Sequence, residues 1–146
     1  MKQVLLLVGL FMSISLFSCD DDDKKVEYAD LPANAQAFLF THFADVDVVS
    51  IQKDNDGYDV RLKNGFSVNF DLDGEWDDVD GSQMPVPTSI TALLPSTILA
   101  YIVQNYNDYK IVEVNKEHYG YEITLLDKRE LELKFDQRGN FLETDN

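Results

Sequence analysis

The chain has only one cysteine in 146 residues, Cys19, so no intrachain disulfide can form. The fold therefore has to be stable without a disulfide. Cys19 follows an apolar stretch, residues 4–17, and precedes four consecutive aspartates, residues 20–23. This position favours lipid attachment over a catalytic or metal-binding role.

Histidine is almost as scarce, and the usual catalytic motifs are missing. His42 lies near the end of a predicted helix and His118 in a predicted hairpin turn. No serine lies in a G-x-S-x-G motif, and no glycine-rich loop precedes a helix. Carboxylates are abundant, but most of them lie in turns or on the outer faces of strands, which argues against a paired-carboxylate hydrolase. We expect no enzymatic activity, no catalytic residue and no cofactor.

Basic residues are also few, since 12 Lys and Arg stand against 27 Asp and Glu. Loss of residues 1–18 would remove Lys2 and no acid, which leaves 11 basic and 27 acidic residues and a formal charge of −16. Such a surface repels nucleic acid and anionic lipid, so no nucleic-acid partner is expected. A cationic ligand or a basic protein surface is favoured.

The N-terminus has the order of a secretion signal: Lys2, then the apolar stretch, then Leu16-Phe17-Ser18 before Cys19. The apolar stretch is too short to span a bilayer comfortably. We predict a lipoprotein signal peptide over 1–18, lipidation of Cys19 and an acidic tether over 19–29. An ordinary secretory signal with an incidental cysteine is the alternative. The prediction places the protein on the outer membrane, at its periplasmic or its surface-exposed face.

The rest of the chain contains an internal repeat. Leu31-Pro32 recurs 63 residues later as Leu94-Pro95, and residues 57–60, Gly-Tyr-Asp-Val, recur as Gly-Tyr-Glu-Ile at 120–123. After a two-residue insertion, the F-D-x-x-G sequence at 70–74 recurs at 135–139. We expect repeat 1 over about 30–80, a linker over 81–89 and repeat 2 over about 90–146.

Each copy changes from a helical to a strand period. The apolar spacing predicts a buried helix face in each copy, formed by Leu31, Ala35, Phe38 and Leu39 and by Leu94, Ile98, Tyr101 and Ile102. Alternating apolar residues then predict about four antiparallel strands, and Asn64-Gly65 suits a two-residue hairpin turn. The fold class is α+β, with helices packed on one face of an antiparallel sheet. A short extra helix is expected within 88–93.

An acidic loop matches part of a calcium-binding pattern. With Gly74 at the sixth position, the ligands would be Asn69, Asp71, Asp73, Asp77 and Asp80. Asn at the first position and Asp at the last depart from that pattern, and the flanks are predicted strands. Arg138 also replaces the counterpart of Asp73 in the second copy. We favour a β-turn over a metal site.

Aromatic residues are the best candidates for binding. Most of the aromatics fall on the apolar side of the strands and are expected in the core. Trp76, Tyr109 and Tyr119 do not fit this pattern clearly, and they are the predicted binding residues, because exposed Tyr and Trp often anchor partners. The other sheet face is expected to carry mixed charge, at Asp59, Arg61, Lys63, Glu122, Thr124, Glu130, Glu132 and Lys134.

The lipobox, the Leu-Pro helices and the repeated G-Y-(D/E)-(V/I) and F-D-x-x-G motifs resemble those of the PepSY-like lipoproteins. The resemblance covers residues 30–146 and implies a fold similar to that of the β-lactamase inhibitor protein. It implies a binding or inhibitory surface and transfers no site residue. We expect a membrane-anchored, non-enzymatic module that binds an unknown protein or peptide. A structural or assembly component of the cell envelope is the alternative.

Overall fold

The computed structural model describes residues 24–145, which form one antiparallel sheet and three α-helices. The helices are α1 (Ala33–Phe43), α2 (Thr88–Thr91) and α3 (Ser96–Asn105), and a 3-10 turn covers Tyr28–Asp30. The strands are β1 (Lys24–Lys25), β2 (Val48–Lys53), β3 (Gly57–Leu62), β4 (Ser67–Asp71), β5 (Trp76–Asp80), β6 (Lys110–Glu117), β7 (Gly120–Leu126), β8 (Glu130–Asp136) and β9 (Phe141–Asp145).

The nine strands lie in the sheet in the same order as in the sequence, and every neighbouring pair is antiparallel. The described chain therefore contains the order helix and four strands twice, first as α1 with β2–β5 and then as α3 with β6–β9. The two groups join where β5 pairs with β6. Because of this pairing, the protein has one continuous sheet rather than two small ones.

Prolines determine where the two longer helices begin. Pro32 and Pro95 immediately precede α1 and α3, where a missing backbone N–H breaks no helical hydrogen bond. The predicted helix faces are buried at six of eight positions: Leu31, Ala35, Leu39, Leu94, Ile98 and Ile102. Phe38 and Tyr101 are only half-buried and pack against the edge of the core.

The side chains of the strands alternate between two faces. On the helix side, a row of paired apolar residues crosses the sheet from Ile51 through Val60, Val68, Val79, Val114 and Ile123 to Leu133. These residues join the buried helix residues in one core. The other face carries the polar partners of each strand, and no helix of the described chain buries its apolar residues against it.

The ends of the predicted domain differ from the structure. The prediction assigned residues 19–29 to a free tether, but Lys24 and Lys25 pair with Lys53 and Gln52 in the sheet. The predicted linker, residues 81–89, is also held in place, because Val86 is buried and its N–H donates to the carbonyl of Ile111 at 2.8 Å. The expected short helix forms at α2.

The helices contain no charged residue. The sequences of α1, α2 and α3 include no Asp, Glu, Lys or Arg, and His42 is the one other titratable group with a basic side chain in them. In the described part of the chain, no helix is long and apolar enough to span a membrane. Within residues 24–145, the acidic residues therefore lie on the strands, in the loops and in the 3-10 turn.

The helix assignment can be tested with two adjacent residues of α3. Ile102 is 4% exposed and Val103 is 68% exposed, so a carboxylate is buried at the first position and hydrated at the second. We expect Ile102→Asp to lower the free energy of unfolding by several kcal/mol, or to unfold the protein, because a small domain tolerates an unpaired buried charge poorly. Val103→Asp should change it by less than about 1 kcal/mol. Urea denaturation followed by circular dichroism measures both, and equal effects would show that the face is misassigned.

Candidate binding face

Carboxylates are concentrated on the sheet face that the helices do not cover. We call the set Asp59, Asp78, Asp80, Glu113, Glu122 and Glu132 the acidic face. In the strand register Asp59 lies across from Asn69, Asn69 from Asp78, Asp78 from Asn115, and Asn115 from Glu122. Two residues further along β5, Asp80 lies across from Glu113.

The centre of the acidic face is formed where β5 meets β6. Asp78 and Asp80 come from the first four-strand group and Glu113 from the second, so neither group contains this cluster alone. The Oδ1 atoms of Asp59 and Asp78 are buried and have no hydrogen-bond partner among the described residues. A buried carboxylate oxygen without a hydrogen bond lowers the stability of the folded chain. These residues are therefore not explained by a contribution to folding.

The crowding of carboxylates changes their proton affinities. Burial, with the nearby carboxylates of Glu113, Asp80, Asp77 and Asp59, raises the pKa of Asp78 to about 7. Burial is also the main cause of the raised pKa of Glu113. Thr124 Oγ1 donates a hydrogen bond to Glu113 Oε2 at 3.0 Å, and this bond partly offsets the increase in pKa. A cation placed against this region would stabilise the charged forms.

Lys134 supplies positive charge at the β9 side of the same face. Its Nζ lies 3.2 Å from Glu143 Oε1 and 4.0 Å from Glu132 Oε1, and it also donates to Asp145. The hydrogen bonds to Asp145 and Glu143 raise the pKa of Lys134. This side of the acidic face is partly neutralised within the chain, whereas no salt bridge of the described residues reaches Asp78, Asp80 or Glu113.

A small cleft opens at the other end of the acidic face. Its volume is about 130 Å³, and its lining includes five side chains that can accept hydrogen bonds from a cation: Asp54, Asp56, Asp59, Asn69 and Asp77. Asp54 Oδ1 already accepts the backbone N–H groups of Asp56 and Gly57 at 2.7 and 2.8 Å. The cleft suits one cationic side chain, because Asp56, Asp59 and Asp77 also line it. Asp59 Oδ2 is shared with Arg61, whose Nη2 lies 3.5 Å away.

The loop that matched part of a calcium pattern is built as a turn. Asp71 Oδ1 accepts the N–H groups of Asp73 and Glu75, both at 2.9 Å, and Gly74 has a φ of +84°. Asp136 Oδ1 makes the same two bonds in the second group, to Arg138 and Asn140. Within residues 24–145, no three Asp, Glu, His or Cys side chains converge as a metal site would require.

The structure corrects the expected exposure of Trp76. Its side chain is only 7% exposed, stacks on Phe38 with ring centroids 5.7 Å apart, and lies under Lys116, whose Nζ is 3.8 Å from the ring centroid. The sequence pattern failed here because β5 has a bulge: Phe70 pairs with Trp76 while Asn69 pairs with Asp78. The extra residue, Asp77, shifts Trp76 to the core side.

The other two predicted binding residues lie on different sides of the molecule. Tyr109 is half-buried beside Tyr106, with ring centroids 5.6 Å apart, on the helix side. Tyr119 lies next to the acidic face, where its hydroxyl donates to Glu122 Oε2 at 2.6 Å. Burial and this hydrogen bond raise the pKa of Tyr119. The structure therefore does not bring the three predicted residues together in one site.

One pair of side chains has the chemistry of a nucleophile and a base. His42 Nδ1 lies 2.7 Å from Ser89 Oγ, and the His42 ring packs on Phe38 with centroids 4.4 Å apart. Burial lowers the pKa of His42. Within residues 24–145, no carboxylate forms a hydrogen bond or salt bridge with this histidine to orient it, and Ser89 lies in α2, a helix of four residues. The contact ties the end of α1 to α2.

The sequence interpretation did not place Asp78, Asp80 and Glu113 on the binding face, and it considered Asp80 only as a calcium ligand. It placed residues 75–80 in a weak final strand of the first repeat and did not pair that strand with the second repeat. The alternation in Trp76-Asp77-Asp78-Val79-Asp80 and in residues 112–115 was the available signal. Neither alternating segment predicts that β5 pairs with β6, because α2 and α3 lie between these two strands in the sequence.

Comparison with known families gives two overlapping matches. Residues 19–74 and residues 56–143 both match a family described as "Putative beta-lactamase-inhibitor-like, PepSY-like". Together the matches run from residue 19 to residue 143, which includes every strand of the acidic face. No curated protein matches the chain.

Three solved structures have a similar fold, each with a TM-score of 0.78. A "putative calcium-regulated periplasmic protein" from Bacteroides thetaiotaomicron is 35% identical and covers 86% of this chain and 98% of its own. A "putative periplasmic protein of unknown function" from Bacteroides vulgatus is 32% identical, over 85% and 99%. A further periplasmic protein from Bacteroides vulgatus is 34% identical, over 87% and 99%.

The raised pKa of Asp78 predicts how stability depends on pH. Between about pH 4 and pH 7 the folded chain binds a proton at Asp78 that the unfolded chain, with a pKa of 3.8, releases, so stability should fall as pH rises through this window. Asp78→Asn should flatten this decline and raise the free energy of unfolding at pH 8 by about 1–2 kcal/mol, since partial exposure reduces the full effect.

The matched control is Asp45→Asn, at an exposed position in the loop between α1 and β2. It should leave the pH profile unchanged. Urea denaturation at pH 5, 6, 7 and 8 measures all three proteins. A profile for Asp78→Asn as steep as that of the parent would show that Asp78 is not the strained group.

Proposed function

This chain belongs to the PepSY-like family, and we propose that it is a non-enzymatic binding module, held at a membrane by lipid on Cys19, that inhibits or sequesters a secreted protein. The proposed binding surface is the acidic face. Its partner would present Lys and Arg side chains, one of which would enter the cleft lined by Asp54, Asp56, Asp59 and Asp77. The proposed location is the periplasm or cell surface, in keeping with relatives that are described as periplasmic.

One observation carries this proposal: the uncovered sheet face concentrates carboxylates that destabilise one another. Asp78 has a pKa near 7 and an oxygen with no hydrogen-bond partner, so its charged form has a cost in the free chain. A cationic side chain placed against Asp78 would stabilise its charged form and offset the repulsion from Glu113 and Asp80. Ionisable groups with shifted pKa values cluster at functional sites for this reason. Electrostatic complementarity would also speed association with a basic partner.

The lack of a catalytic role is part of the proposal. The carboxylates of the acidic face lie on a broad sheet surface, and the one cleft among them has a volume of only about 130 Å³. His42 and Ser89 lie on the other side of the sheet, away from these acids. A binding surface requires only complementary shape and charge, and a continuous sheet supplies both over a large area.

We also infer that the two groups of one helix and four strands are copies of one ancestral unit. Both turns after β4 and β8 are capped by an aspartate and contain a glycine with φ near +84°. Gly74 packs against Asn34 and Pro32, and Gly139 against Thr97 and Pro95, so each turn meets the beginning of its helix in the same way. Duplication accounts for the repeated motifs and for the doubled sheet.

Photo-crosslinking in the native cells tests the binding face. A photoreactive amino acid at Asn69, exposed between Asp59 and Asp78, should capture a basic secreted protein. The matched control is the same amino acid at Ala100, exposed on α3 on the opposite side of the sheet. We expect the captured protein to be at least about tenfold enriched at position 69, since contact requires the acidic face.

Asp78→Lys in the position-69 protein should abolish capture because it reverses the charge at the centre of the face. Identification of the captured protein by mass spectrometry separates the two roles: a secreted enzyme supports inhibition, and a fixed envelope protein supports the assembly alternative. Equal capture at positions 69 and 100 would contradict a binding role for the acidic face.

The proposed anchor requires acylation of Cys19, which lies outside the described residues. Mass spectrometry of the protein from its own cells should show cleavage between Ser18 and Cys19 and acyl chains on Cys19. Cys19→Ala should remain an uncleaved precursor, because the signal peptidase for lipoproteins requires the lipidated cysteine. A wild-type protein that is cleaved at this point without acyl chains would refute the lipid anchor.

A further inference from the structure

Strand β9 lies at an open edge of the sheet. Among the described strands it pairs with β8 and with no other. Every second residue of β9 therefore directs its backbone N–H and C=O to a side where the described chain has no strand. Phe141 and Leu142, at the start of β9, are also exposed. An open edge with exposed apolar residues is a place where a further strand can pair.

The sheet itself shows what pairs with such a strand, because β5 is the counterpart of β9 in the first group of four strands. Both strands have a bulge after their first residue. In β5 it lies between Trp76 and Asp78, and in β9 between Phe141 and Glu143, 65 positions later. The outer edge of β5 pairs with β6. A strand like β6 is therefore the expected neighbour of β9.

Strand β2 is the counterpart of β6 in the first group. Residues 50–52 lie 63 positions before residues 113–115, which form the edge that pairs with β5. In β2 the strand at this edge is β1, which has only two residues, followed by Val26, whose N–H donates to β2 at 3.2 Å. Lys24 of β1 lies across from Lys53, so like charges meet there. The pairing that covers this edge of β2 is therefore short and weak.

The junction of β5 with β6 buries an aromatic ring beneath a lysine. Trp76 of β5 stacks on Phe38 of α1, with ring centroids 5.7 Å apart. Lys116 of β6 lies over the same ring, with its Nζ 3.8 Å from the centroid. Between these two neighbours Trp76 is only 7% exposed. The lysine belongs to the second group, so the ring is covered because the two groups are joined.

Strands β9 and β2 carry the two halves of the same arrangement at opposite ends of the sheet. Phe141 is the counterpart of Trp76 and stacks on Tyr101 of α3, with ring centroids 4.6 Å apart. Its side chain is still 37% exposed, and no Lys or Arg of the described residues lies over the ring. Lys53 of β2 is the counterpart of Lys116. Pairing of β9 with β2 of another molecule would bring Lys53 over Phe141.

We propose that the open edge of β9 pairs with β2 of a second copy of this chain, antiparallel and in the register in which β5 pairs with β6. Thr144 then lies across from Ile51 on the helix side of the sheet. Glu143 lies across from Gln52 on the other side, so both faces continue from one copy to the next. In the second copy β9 displaces β1. The like-charge contact at Lys53 is thereby exchanged for a cation–π contact.

Charge argues against the simplest alternative, which is the pairing of two β9 strands. Antiparallel pairing of β9 with itself would bring Glu143 and Asp145 of the two copies close together. In β2 the positions that face these acids are Gln52 and Ser50, which are uncharged. The edge of β9 therefore fits the edge of β2 better than it fits a second β9. Copies joined in this way would also place their acidic faces on the same side of one extended sheet.

Disulfide trapping between two differently tagged chains tests the pairing. Both chains cover residues 19–146 and carry Cys19→Ser, so the introduced cysteine is the only thiol in each. One chain carries Gln52→Cys and the other Glu143→Cys. Mild oxidation should join them, because the register places these two side chains directly across from each other. Gln137→Cys, exposed in the turn before β9, is the matched control for Gln52→Cys and should give at least about tenfold less product, since its thiol is out of reach.

Further substitutions in the Gln52→Cys chain test the displacement of β1 and the role of the lysine. Val26→Pro removes the N–H that β2 accepts, so it should loosen β1 and raise the yield at least about threefold. Lys53→Gln should lower the yield about threefold, because the cation over Phe141 is lost, whereas Lys53→Arg should preserve it. Circular dichroism verifies that each variant is folded.

Two results would overturn the proposal. The first is an equal yield from the Gln52→Cys and Gln137→Cys chains, both with and without Val26→Pro. The second is a Glu143→Cys chain that joins to itself more readily than to the Gln52→Cys chain, which would show that β9 pairs with β9. Because only the purified chain is used, neither result depends on the lipid anchor or on a partner of the acidic face.

Discussion

The row of paired apolar residues that crosses the sheet, from Ile51 through Val60, Val79 and Val114 to Leu133, is the contact on which the rest of the structure depends. It gives α1, α2 and α3 a continuous surface to cover and joins their buried residues in one core. Because strand side chains alternate, the same pairing places the polar residues of every strand together on the other face. The core and the acidic face are two results of one register.

The shared strand register keeps these destabilising carboxylates on the uncovered face of the sheet. Loss of the apolar row would dissolve the core, and a shift of one residue would bring the carboxylates under the helices. The folded chain still keeps Asp78 beside Glu113 and Asp80, with an oxygen that has no hydrogen-bond partner. We interpret this local instability as the basis for binding a cationic surface.

The helix layer and the acidic face differ in charge. The helices contain no Asp, Glu, Lys or Arg, whereas the opposite sheet face contains the central carboxylates. This difference in charge between the two sides follows from which elements carry the charged residues, and it requires no conformational change.

Much of this protein could be predicted from its sequence. The helical and alternating periods predicted α1, α3, the hairpins and an α+β fold with helices on one side of the sheet. The Leu-Pro, G-Y-(D/E)-(V/I) and F-D-x-x-G motifs led to the PepSY-like family, which the family comparison confirms. These signals are local: each depends on residues within one helix, one strand or one turn.

The pairing of distant elements was decided only by the tertiary structure. The sequence pattern gave no reason to join β5 to β6, so it did not predict the cluster of Asp78, Asp80 and Glu113. The bulge at Asp77 buried Trp76, which periodicity had not assigned clearly to the core. Local period determines which residues alternate, but the contacts between strands far apart in the chain determine which alternating residues meet.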